Sequence, residues 1–127
     1  MFTGHSRTIM HDADAVSAAV AGAIRVGYRS FDCAACYGNE DMIGQVFADA
    51  FAEGVVKRED LFIASKVWND MHGDGDVLIA CAKTLKDLKL DYLDMYYVHW
   101  PFPNYHARCR CCFRSSGWRN PCRLPFL

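Results

Sequence analysis

Hydrophobic and polar positions alternate between two periods along the first hundred residues. In residues 12–27, DADAVSAAVAGAIRVG, the apolar side chains Val16, Ala19, Val20, Ala23 and Ile24 recur three and four apart, which predicts an amphipathic helix. Asp12 or Asp14 is placed to cap its start, and Gly27 can end it in the left-handed conformation. Residues 28–32, YRSFD, are short and aromatic-rich and predict a strand. The helical period returns in DMIGQVFADAFAEG through Ile43, Val46, Phe47, Ala50 and Phe51, with Gly54 as the stop. LFIASK, residues 61–66, reads as a buried strand. DVLIACAKTLKDLKL reads as a third helix, capped by Asp76, with Val77, Cys81, Leu85 and Leu88 inward. YLDMYYVHW gives one more strand, ending near His99.

Strands separated by helices cannot form tight hairpins, so an α-β-α-β-α-β order implies parallel strands with helices outside. Both an open doubly wound sheet and a (β/α)8 TIM barrel fit this order. No G-x-G-x-x-G follows a strand, which counts against the dinucleotide-binding form of the open sheet. In any parallel sheet the C-terminal strand ends share one side, and barrel active sites form there. Asp32, Lys66 and His99 close the three strands, and Tyr37 follows the first.

These residue types make a consistent set. A tyrosine that titrates near ~10 is a poor acid at neutral pH, and a nearby ammonium favours its ionised form. A carboxylate beside the lysine would hold that ammonium charged and in place. An imidazole can polarise a carbonyl or assist proton transfer. Taken singly, Asp32 also reads as a turn residue, Lys66 as a solvated cation and His99 as a hydrogen-bonded core histidine. Convergence on one rim is what favours chemistry.

Composition changes the picture at one point. The chain has 127 residues, 52% hydrophobic and 23% charged, which suits one modest globular domain. Its net charge of −1 gives no reason to expect a nucleic acid or a membrane surface as partner. The N-terminus lacks the apolar stretch of a secretory signal, and a cytoplasmic protein with reduced thiols is the expectation. The charge is uneven, however. Residues 1–103 hold all the acidic residues and carry −6, whereas residues 104–127 hold five arginines, four cysteines and no acid. This break divides the chain into a body, 1–103, and an Arg/Cys-rich tail, 104–127, expected to be disordered or out of frame. His106, Cys109, Cys111, Cys112 and Cys122 could also form a small zinc module, although C-x-CC lacks the usual pair spacing. A nucleic-acid-binding arm is a further reading of the five arginines.

GYRSFDCAACYGNEDMIGQVF resembles the aldo-keto reductase signature G-[YF]-R-x-x-D-x-A-x-x-Y-G-N-E-x-x-[IV]-G. LFIASKVWN resembles that family's lysine strand and DYLDMYYVHWP its histidine strand. The separations of 5, 29 and 33 residues between Asp32, Tyr37, Lys66 and His99 match the family's tetrad. The resemblance covers residues 12–103. It implies a partial (β/α)8 TIM barrel, about β2 to β4 of that fold with flanking helices. It also implies an oxidoreductase that reduces aldehydes or ketones to alcohols with NADPH, less often NADH. By resemblance Tyr37 is the general acid, Lys66 tunes it, and Asp32 partners Lys66 and borders the cofactor. His99 orients the carbonyl, and Trp68 walls the substrate pocket. Cys33 and Cys36 fall at variable positions of the signature, so their C-x-x-C is expected to be neither a redox pair nor half of a metal site, and no metal is expected.

A TIM barrel typically takes about 250 residues. The family's nicotinamide and adenosine-phosphate residues lie in later strands with no counterpart here. The sequence-level expectation is therefore a truncated, inactive form that self-associates through open sheet edges. The alternatives are a non-catalytic piece that binds or regulates a partner, and a zinc or nucleic-acid role for the tail.

Overall fold

The computed structural model describes residues 13–103. Its elements are α1 (Ala13–Arg25), β1 (Ser30–Asp32), a 3-10 turn (Ala35–Tyr37), α2 (Glu40–Ala52), a second 3-10 turn (Arg58–Asp60), β2 (Phe62–Val67), α3 (Asp76–Leu88) and β3 (Met95–Val98). The strands form one parallel sheet in the order β1-β2-β3, with Asp32 opposite Ala64, Ala64 opposite Met95 and Lys66 opposite Tyr97. This consecutive parallel order with intervening helices fits a partial (β/α)8 barrel. The tail, including its zinc-module candidates, lies outside the described residues, as does Asp12. Among the described residues no helix is long and apolar enough to cross a membrane.

All three helices stop in the same way. In α1, Gly27 adopts φ 100, its N–H donates to Ile24 O, and the Tyr28 N–H donates to Ala23 O. This paired closure satisfies carbonyls that the helix would otherwise leave open. It repeats at Gly54 and Val55, and again at Lys89 and Leu90, where a lysine takes the left-handed position at φ 55. Because Tyr28 still belongs to the α1 closure, β1 begins at Ser30 rather than at residue 28.

The sheet has two unlike faces. Phe31 and Ile63 point outward and join Ile24 of α1, Phe47 of α2 and Leu88 of α3 in one core. Phe31 meets Phe47 edge-on at 5.3 Å. The opposite face carries Asp32, Lys66 and Tyr97, with Phe62 and Met95 half exposed. At the N-terminal strand ends, Arg58 donates to Asp94 Oδ2 at 2.8 Å, and the Ile63 N–H donates to the same oxygen at 2.8 Å. Burial works against the Asp94 charge, but these two bonds outweigh it and hold the carboxyl below its usual range.

Three expected positions differ. Ala19 is exposed, because α1 turns Val16, Ala23 and Ile24 to the core. Asp76 is the first residue of α3, and Gly75, at φ 78, takes the cap position instead. Val77 is exposed, and Thr84 occupies a buried place beside Leu88. The reason is that α3 meets α2 late, at Thr84 and Leu88, so its first turn precedes the contact.

That contact depends on Gly44. A β-carbon there would collide with the Asp87 carbonyl oxygen and lie 2.7 Å from Leu88 Cα, both backbone atoms that cannot swing away. Gly44→Ala must separate α2 from α3 and is expected to cost about 1–3 kcal/mol or more. Urea unfolding of the full-length protein checks this, and a loss below about 0.5 kcal/mol would mean that the helices slide freely.

Candidate active site

Each candidate side chain stands on a strand or in the segment just after one. Lys66 stands on central β2, next to its last residue, and is buried with a side-chain exposure of 8%. Its Nζ donates to Asp32 Oδ1 and to the Cys33 carbonyl, both at 2.8 Å. Asp32 closes β1 opposite Ala64, two residues before Lys66, so the ion pair bridges two neighbouring strands. Burial alone would lower the Lys66 ammonium's pKa. Hydrogen bonding to Asp32 and Tyr97, together with the Asp32 charge, outweighs burial and holds it above the ordinary lysine value.

Tyr37 ends the 3-10 turn that follows β1, and its ring centre lies 5.6 Å from Lys66 Nζ. His99 follows β3, and its N–H donates to Val67 O at 3.1 Å, which extends the strand pairing to the rim. Its ring meets Tyr37 edge-on at 5.8 Å and Trp68 edge-on at 5.0 Å. Trp100 stacks near it at 6.2 Å. The structure thus brings Asp32, Tyr37, Lys66, Trp68 and His99 to one place at the C-terminal strand ends.

The two cysteines of the C-x-x-C are free thiols in different surroundings. Cys33 is buried, and burial, with the Glu40 charge added, pushes its thiol up to about 12. Cys36 is half-buried, with Sγ 3.5 Å from His99 Nδ1, and burial raises its thiol as well. Raised thiols are poor nucleophiles.

Three features of the site were missed in the sequence. Tyr97 donates its hydroxyl to Asp32 Oδ1 at 2.7 Å. Its signal was available, since it sits two residues before His99 and period two puts both on one face. Cys36 was treated as a variable position, yet it touches His99. Glu40 sits inside the quoted signature and reads there as an ordinary first-turn acid. It is in fact only 4% exposed and accepts hydrogen bonds from Ser65 at 2.5 Å and Thr84 at 3.1 Å. Burial raises its pKa, and the two hydroxyls offset that only in part.

The sequence model of the aldo/keto reductase family matches residues 1–118 of this chain. Among curated relatives, an aldo/keto reductase of Synechocystis sp. is 57% identical over 86 residues, 68% of this chain and 26% of the relative. The NADP-dependent D-sorbitol-6-phosphate dehydrogenase of Malus domestica is 48% identical over 93 residues, 73% of this chain and 29% of the enzyme. A solved Bombyx mori aldo-keto reductase in complex with NADP superposes with a TM-score of 0.70 at 46% identity, covering 72% of this chain and 30% of that one. The aldose reductase of Giardia lamblia gives 0.69 at 46% identity, with the same coverage. The chain belongs to the aldo/keto reductase family. It spans less than a third of the length of these relatives.

Glu40 generates a stability prediction. Its folded pKa lies above the ordinary value of 4.5, so its proton is held more tightly in the folded state than in the unfolded one. The linked stability is fully present below that ordinary value and is lost as pH rises through the folded pKa. Glu40→Gln can still accept from Ser65 and can donate to Thr84, without a buried charge. Its stability relative to wild type is expected to increase between about pH 4 and pH 7 in thermal unfolding of the full-length protein. Parallel stability curves for the two proteins would count against a buried carboxylate penalty.

Proposed function

We propose that the full-length protein carrying this sequence reduces aldehydes or ketones to alcohols, with Tyr37 donating the proton to the carbonyl oxygen. The observation that carries the reading is the Asp32–Lys66 pair beside the Tyr37 ring, with His99 and Trp68 edge-on to each other at the same rim. NADPH supplies the hydride when bound. Asp32 suits a place beside it, because its two side-chain hydrogen bonds among the described residues both use Oδ1 while its side chain stays 27% exposed, so Oδ2 is placed to accept from a cofactor hydroxyl. The NADP-dependent apple relative and the silkworm enzyme with NADP favour this cofactor. Lys66 holds its charge against burial, His99 orients the carbonyl oxygen, and Trp68 shields that face of the pocket from water. The free thiols of Cys33, Cys36 and Cys81 favour a reducing compartment, the cytoplasm, for this reaction.

Self-association is the second element of the reading. Among the described residues β3 is an edge strand whose Met95 and Val98 are half exposed, which favours pairing of the 127-residue chain with a second copy.

Loss of NADPH absorbance with a simple aldehyde tests the reaction. Tyr37→Phe should lower turnover by the ~10²–10⁴ typical of general acid catalysis while the protein stays folded. Lys66→Met should also slow it, because the ammonium beside the acid is lost. The Cys33→Ser, Cys36→Ser double variant should remain active, since neither thiol is poised for chemistry. Near-normal turnover by folded Tyr37→Phe would sink the assignment.

A further inference from the structure

Tyr97 is the polar side chain of the inner sheet face to which neither the sequence motifs nor the reading above gives a role. It lies opposite Lys66 in the β2–β3 register. Its hydroxyl donates to Asp32 Oδ1 at 2.7 Å, the same oxygen that accepts from Lys66 Nζ at 2.8 Å. Lys66 Nζ stands 5.2 Å from the Tyr97 ring centre and 5.6 Å from that of Tyr37, so the ammonium lies close to both rings. Asp32 is thereby the shared acceptor of residues from β2 and β3.

We infer that Tyr97 is a positioning residue for carbonyl reduction, which holds the Asp32 carboxylate so that Lys66 remains between it and Tyr37. This rests on the function proposed above. The physical argument is one of geometry and shared charge. A carboxylate at the end of a three-residue strand can rotate, and one ammonium partner would draw it into a closed pair. A second, fixed donor from β3 pins Oδ1 and takes part of its charge, so Asp32 claims less of the ammonium's field. Burial and donation to Asp32 both raise the Tyr97 hydroxyl above its ordinary value, and the opposing effect of Lys66 is smaller, so Tyr97 remains a donor rather than a competing acid.

Tyr97→Phe keeps the ring and removes only the hydroxyl. In the full-length enzyme, kcat is expected to fall about tenfold, the scale of one hydrogen bond to a charged group, with the aldehyde KM within about twofold. In an Asp32→Asn background the same change should cost less than about twofold, because Tyr97 acts through Asp32. Independent, multiplying losses in the double variant would overturn the inference, and so would a raised KM with unchanged kcat. If Tyr37→Phe is inactive and folded Tyr97→Phe keeps wild-type kcat, Tyr97 has no positioning role although the proposed reaction stands. If Tyr37→Phe is active, the reaction assignment itself fails. Should Tyr97→Phe not fold, replacing Tyr97 with 3-fluorotyrosine keeps ring and hydroxyl while altering donor strength, and an unaltered kcat would overturn the inference.

Discussion

Lys66 is a cation almost wholly withdrawn from water at the end of the central strand, and the arrangement around it follows from the need to keep that charge satisfied. A buried ammonium requires an opposite charge and hydrogen-bond acceptors, and without them it would give up its proton. Asp32 supplies the charge from β1, and the Cys33 carbonyl supplies a second acceptor from the loop just beyond. The chain must therefore turn immediately after β1, and the 3-10 turn that follows delivers Tyr37 beside the same ammonium. The lysine organises the rim before any substrate is considered.

The neighbouring residue performs the corresponding task on the opposite face. Ser65 points away from Lys66 and donates to Glu40, the first residue of α2, while Thr84 of α3 donates to the other carboxylate oxygen. One buried carboxyl thus ties two helices to the strand that carries the lysine. Gly44, one turn further along α2, permits the backbone approach that brings Thr84 within reach. The polar groups of the signature therefore divide into those that meet at the rim and those that fasten helices behind it.

Much of this was legible in residue order. Periodicity located three helices and three strands, and alternation with helices required a parallel sheet. Placing polar residues at strand ends was enough to gather Asp32, Tyr37, Lys66 and His99. Tyr97 and Glu40 were passed over for a common reason. A tyrosine within a hydrophobic strand and a glutamate at a helix start are ordinary in their local settings. Only their partners, 65 residues away for Tyr97 and 25 and 44 away for Glu40, make them unusual.

Local sequence determined the order of elements, the glycine-closed ends of α1 and α2, and the residues presented at the strand ends, because each depends on neighbours within a few positions. Tertiary structure decided which face of α3 is buried, that Asp32 serves two donors, and that the two cysteines of one C-x-x-C occupy different environments. Those outcomes depend on strand register and helix approach, which bring together groups that chain distance keeps apart.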